Sequence, residues 1–172
     1  MKNTLLLGCL GLLMAIPCHA GREKIAKDKY SLEFPDDWKK PTGDAGEALI
    51  VRENKDGTAL FAVSRLTVKD GAKADLDATV KSVTAGYKKD LKLKDDPKVE
   101  PGEIDGLDAR FVVIVPPKQD PPPADQPPAT AVYLVLIDAK TEVLILQATV
   151  VMPANKKTSD ACLAIIQSFK RE

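Results

Sequence analysis

Histidine, cysteine and aromatic residues are all scarce in this chain, and each scarcity removes a class of chemistry. Of 172 residues one is His, three are Cys, and aromatics make up 5%. His19, Cys9 and Cys18 all fall in the first twenty residues, a stretch with the layout of a secretory signal peptide. Lys2 gives it a positive start, and Leu5 to Ile16 runs for twelve residues without a charge. Pro17 then interrupts the run, and Cys18-His19-Ala20 puts small residues at the −3 and −1 positions of a cleavage site before Gly21. The uncharged run is well short of the ~20 residues a membrane-spanning helix needs. A lipid-anchored form is the alternative. Leu6-Leu7-Gly8-Cys9 has the loose pattern of a lipidation signal but comes too early in the chain, and Pro17 is a poor neighbour for Cys18.

With residues 1–20 read as a leader, the mature chain keeps no His and one Cys, Cys162. That excludes a Ser-His-Asp or Cys-His nucleophile, a His-ligated zinc and an intramolecular disulfide. The mature chain has 24 basic and 25 acidic residues, a formal charge of −1. Such a balance makes no electrostatic case for nucleic acid or for an anionic membrane. Membrane contact is expected only of the anchored form. The length suits a single domain, residues 21–172, and no cofactor is expected.

What is present is strand alternation followed by helix periodicity, twice over. Tyr30, Leu32 and Phe34 alternate with Ser31 and Glu33, predicting a strand with one buried face, ended by Pro35-Asp36-Asp37 before Trp38, the one Trp. Ala48 to Glu53 and Thr58 to Leu66 predict a hairpin across Asn54-Lys55-Asp56-Gly57. Leu76, Val80, Val83, Tyr87 and Leu91 then fall on one helical face, with Asp75 as N-cap. Gly86 in that helix suggests close packing or a local irregularity.

Lys98 to Ile104 and Leu107 to Val115 flank Asp105-Gly106, a two-residue hairpin signal. Phe111 to Val115 is apolar throughout, which predicts a central strand covered on both faces. Thr130 to Ile137 and Glu142 to Met152 make another strand pair. In the last helix, Ser159 to Phe169, the residues Cys162, Ile165, Ile166 and Phe169 share a face, with Thr158 or Ser159 as cap and Asp160 favouring the N-terminal dipole. Cys162 is therefore read as a packing residue.

Between the second and third pairs of strands lies Pro116 to Pro128, in which seven of thirteen residues are Pro. It can continue neither a helix nor a sheet, so an exposed, extended, polyproline-like loop is expected. Hairpin loops ordinarily need about 2–5 residues, and this excess invites an explanation as a recognition segment or as a spacer. Pro117, Lys118, Pro121, Pro122, Pro123 and Pro127 are the candidate interaction residues.

Three stretches carry a family resemblance. They are Tyr30-Ser-Leu-Glu-Phe-Pro-Asp-Asp-Trp38, Ile104-Asp-Gly106 leading into an apolar strand, and Ile165-Ile-Gln-Ser-Phe-Lys170 closing the last helix. With the element order they resemble the PsbP-like superfamily, which includes the photosystem II protein PsbP, the Ran-binding Mog proteins and the bacterial DcrB family. The resemblance implies an α+β fold, an antiparallel β-sheet of about six to seven strands sandwiched between helices. It also implies a non-enzymatic accessory or binding role. It carries over no catalytic residue, and the His ligation of some relatives has no counterpart here.

Carboxylates are the remaining chemical resource. Asp36-Asp37, Asp95-Asp96 and Asp105 with Asp108 lack the D-x-D-x-D-G spacing and closing Glu of a calcium loop, so they are read as turn and terminus residues. Phe34, Trp38, Tyr87, Cys162 and Phe169 are the expected structural core, Trp38 acting as a plug after Pro35 with an interface anchor as the rival role. The expectation is an exported accessory protein with a protein partner in the cell envelope. The alternative is a periplasmic carrier of a small ligand or lipid, with a pocket between sheet and helix. A hydrolase using only Ser, Asp or Lys is the third possibility.

Overall fold

Residues 21–27, 29–42, 46–67, 75–117 and 128–172 are described in the computed structural model. The expected leader, residues 1–20, lies outside the described residues. So do Lys118, Pro121, Pro122, Pro123 and Pro127 of the proline-rich run. Among the described residues the chain forms β1 (Gly21–Ile25), β2 (Tyr30–Phe34), β3 (Ile50–Glu53), β4 (Ala59–Thr67), α1 (Leu76–Asp90), β5 (Val99–Ile104), β6 (Leu107–Ile114), β7 (Thr130–Asp138), β8 (Glu142–Val151), α2 (Lys156–Gln167) and β9 (Lys170–Arg171).

Six strands build an open antiparallel sheet in the order β3-β4-β8-β7-β6-β5, and three more build a small sheet, β1-β2-β9. Asp105 and Gly106 both take positive φ, 48° and 73°, as a type I′ turn demands, so the β5–β6 hairpin closes as the Asp-Gly pair predicts. β7 and β8 are central, and both faces of each are covered over most of their length. One face of the main sheet packs against α2 and the small sheet: Phe61, Val63, Val135, Leu144 and Leu146 meet Leu32, Phe34, Trp38, Cys162, Ile165 and Phe169. The other face packs under α1, where Leu76 and Val80 meet Val112, Ile114, Val132, Leu134 and Leu136. Burying each such side chain contributes roughly 1.5–3 kcal/mol relative to leaving it in water.

Several expectations need correcting. β6 is not covered on both faces: Val112 and Ile114 are 1% exposed, but Val113 is 53% exposed. The strand sits second from the sheet edge, and α1 shields one face only. The helix α1 runs straight through Gly86, and a Cβ there would meet nothing within 4 Å; the glycine faces water and neither packs closely nor kinks the helix. The cap of α2 is Asn155, whose Oδ1 accepts from the Thr158 amide at 2.8 Å. The helix thus starts earlier than predicted, Thr158 is buried inside it, and Asp160 lies beyond the first turn, paired with Lys156 at 2.6 Å. In β2, Ser31 is fully buried and its hydroxyl donates to the Glu172 carboxylate, so the expected solvent face is closed by the C-terminal residue.

The strands β1 and β9 have no sequence signature of their own. GREKI and KR are short and charged, and they are ordered by pairing with β2. A bidentate pair binds the small sheet to the main one: Arg52 Nε and Nη2 donate to Glu23 Oε1 and Oε2, each at 2.6 Å. The same guanidinium stands 5.9 Å from the centre of the Phe34 ring, a favourable cation–π distance.

Candidate functional site

Among the described residues no group of three or more His, Cys, Asp and Glu side chains could hold a metal ion. Cys162 is 1% exposed, and burial pushes its thiol up to about 11, so the nucleophilic thiolate is suppressed at neutral pH. The acidic pairs do not converge. Asp96 is tied to Lys88 at 2.7 Å, which holds its carboxyl below the usual range. Asp105 accepts from the Arg171 amide at 2.7 Å, which lowers its pKa as well. Asp36, Asp37, Asp95 and Asp108 are exposed.

The expected core residues divide as follows. Phe34, Trp38, Cys162 and Phe169 are buried together on the α2 side. Tyr30 stacks on Phe169 with ring centres 5.4 Å apart, and Phe34 meets Phe61 edge-on at 5.6 Å. Trp38 closes a turn, its amide donating to the Pro35 carbonyl at 2.9 Å, which folds the indole back into the core at 7% exposure. Tyr87 differs from the expectation. It is only half-buried beside the α1-side core, and its hydroxyl donates to Gln147 Oε1 at 2.9 Å.

The surface feature that stands out lies where β6 leaves the sheet. Val113 and Val115 are 53% and 54% exposed, the highest values among the large apolar residues described. Alternation places Val113 on the α2 side of the sheet with Ala109 and Phe111. Across the ladder Val113 pairs with Tyr133. Phe111 and Tyr133 are half-buried and lean on the α2-side core. Pro117 and Pro128, the described ends of the proline-rich run, are both exposed close by in the chain. Val113 and Val115, with Phe111 and Tyr133 as neighbours in the ladder, form a strip of uncharged residues; the other exposed large apolar residues described are Leu49, Leu66, Val99 and Leu163. Neighbouring exposed apolar residues mark contact with a partner more than singly scattered ones do.

Two local features position the strip. The Phe111 ring lies against Gly102 of β5, where a Cβ would approach Phe111 Cε2 to 2.8 Å; only the absent side chain lets the ring settle there. In addition, β5 is an edge strand that resists further pairing. In a hairpin closed by a two-residue turn at Ile104 and Leu107, the main-chain groups of Glu100 and Gly102 turn towards β6, and those of Val99, Pro101 and Glu103 turn outward. Pro101 has no N–H, so the exposed edge lacks a donor at its middle. The opposite edge is closed too. Lys39 exchanges two main-chain hydrogen bonds of 2.8 Å with Glu53, and the Val51 carbonyl accepts from Arg52 Nη1 at 2.7 Å.

Sequence reasoning passed over Phe111, Val113 and Tyr133 as sites because an unbroken apolar run reads as a doubly covered strand. The available signal was Pro101-Gly102 in the partner strand, which marks β5 as an edge and leaves β6 with one neighbour fewer to bury it.

No known family model matches the chain, and no curated protein matches it in sequence. Solved structures do match in shape. The cyanobacterial PsbP (CyanoP) of Synechocystis sp. PCC 6803 superposes with a TM-score of 0.61 at 11% identity, over 96% of this chain and 99% of that one. The Saccharomyces cerevisiae Ran-binding protein Mog1p gives 0.57 at 11% identity, over 88% and 95%. A protein from Bacteroides thetaiotaomicron VPI-5482 gives 0.54 at 13% identity; it matches 88% of this chain, which spans about half (48%) of that protein's length. The chain therefore has the α+β sandwich fold of PsbP and Mog1p.

Proposed function

We propose that this protein is an exported accessory module that binds another protein through the strip around Val113 and does not act by catalysis. The observation that carries the proposal is the pair of half-exposed valines, Val113 opposite Tyr133 and next to Phe111 on its face of β6, and Val115 just past the end of that strand, on a sheet whose edges resist further pairing. A neighbour in shape is named for binding Ran, which supports a binding role for a chain of this fold. The leader-like residues 1–20 support export.

Chemical crosslinking in intact cells, comparing the natural chain with Val113→Lys/Val115→Lys, tests the contact. Loss of one or more crosslinked partners is expected, with thermal stability retained because both side chains face water. An unchanged set of partners defeats the reading. A variant lacking residues 118–127 asks separately whether the proline-rich run adds to the contact. Export is checked by fractionation and by the first residue of the mature protein, expected to be Gly21.

A second reading, ligand binding between α1 and the sheet, draws on one observation. Tyr87 donates to Gln147, whose Nε2 donates to Thr149 Oγ1 at 3.2 Å, a polar seam beside the helix-covered half of the sheet. Native mass spectrometry of the purified protein tests it, since a co-purifying small molecule is required.

A further inference from the structure

We infer that the strip centred on Val113 takes a proline-rich segment of another polypeptide, laid across the sheet face. The inference rests on the protein-binding reading above and specifies the occupant. An added β-strand is disfavoured at both edges of the main sheet. Pro101 removes a donor from the middle of β5, and Lys39 and Arg52 occupy main-chain groups along β3. An occupant of the strip therefore lies on the face, where it meets side chains and no main-chain ladder.

The strip residues Phe111, Val113, Val115 and Tyr133 carry no charge of their own, and Glu100, opposite Phe111 across the β5–β6 ladder, is taken up by Lys98 at 2.7 Å. A charged segment would lose hydration there without gaining a counter-charge. One directional group remains. The Tyr133 hydroxyl makes no hydrogen bond to another described residue, and it can donate to a carbonyl of an occupant.

The strip thus suits apolar bulk and carbonyl oxygens, and it asks for no N–H from its occupant. Proline supplies that combination. Its ring is apolar, its amide has no N–H, and a polyproline helix leaves its carbonyls open while losing little entropy on docking. Aromatic side chains flanking a shallow surface are the receptor half of this mode of recognition. Phe111 pairs with Val135 and Tyr133 with Val113, so the two residues occupy diagonal positions across β6 and β7. Diagonal positions are roughly 7–8 Å apart, close to the roughly 9 Å turn of a polyproline helix.

Decaproline titrated into isotope-labelled full-length protein tests the chemistry, with a Gly-Ser decapeptide as control. Amide shifts confined to residues 111–115 and 131–135 are expected from decaproline alone. Tyr133→Phe should weaken binding roughly five-fold, as one lost hydrogen bond does, and Val113→Lys should abolish it. No shift at millimolar decaproline, or equal shifts with the control, overturns the inference. A photoreactive phenylalanine analogue in place of Val113, used in native cells, separates this inference from the broader reading. A crosslink to a proline-rich segment of another polypeptide, a second copy of this chain included, supports it. A crosslink to a helical or charged segment, or to the chain's own run, overturns the proline-rich partner; another protein caught at a different kind of segment still leaves protein binding standing. No crosslinked polypeptide at all defeats both.

Discussion

Phe111 and Gly102 are coupled by contact: the ring on β6 occupies the space that a side chain on β5 would fill, with 2.8 Å between Phe111 Cε2 and a Cβ built at position 102. The glycine is thereby a positioning element for the exposed strip, one strand removed from the valines it serves. Gly102→Val should destabilise the fold by roughly 1–3 kcal/mol through overpacking. In a Phe111→Ala background the same change should cost much less, because the clash is gone. Urea denaturation of the four proteins gives the coupling; equal costs in both backgrounds would show that the two residues do not compete for space.

Gly86→Ala should stabilise the protein. The residue lies within α1 with nothing within 4 Å of an added Cβ, so the substitution gains helix propensity and restricts the unfolded chain without strain. The expected gain is about 0.5–1 kcal/mol, read as a higher urea midpoint at unchanged slope.

Asn155→Ala should cost about 1 kcal/mol, the usual loss of an N-cap, because the Thr158 amide loses its 2.8 Å acceptor. Ser159→Ala should be near neutral. A larger loss from position 159 than from 155 would return the cap to where the sequence alone put it.

Trp38→Ala should cost about 3–5 kcal/mol, as large aromatic truncations in a core do, since the indole is 7% exposed among Phe34, Leu32 and the α2 face. A protein of unchanged stability that had lost its crosslinked partners would assign Trp38 to an interface.

Cys162 supplies a prediction in pH. Burial raises its thiol from the ordinary 9.0 to about 11, so the folded protein holds the proton more tightly than the unfolded chain. The contribution to stability is fully present below about pH 9 and is lost progressively as pH rises towards 11. At pH 8 a thiol reagent should label the native protein slowly and the denatured protein at once; rapid native labelling would place the thiol at the surface.

The order of the elements from β2 to α2, the Asp105-Gly106 hairpin, the helix stripe through Leu76 and Val80, and the packing face of α2 were all legible in the sequence. Each depends on residues close together in the chain: period two, period 3.6, or a turn that demands positive φ. What only the tertiary structure decided is coverage. An apolar run such as Phe111 to Val115 has the same pattern whether both faces are buried or one. The position of β6, next to the edge strand β5 and shielded by α1 on one face only, is what left Val113 in water. Likewise, β1 and β9 exist because β2 offers them hydrogen bonds, and Ser31 is buried because the C-terminal residue folds over it. These outcomes depend on which distant segments pack together, and local periodicity carries no record of that.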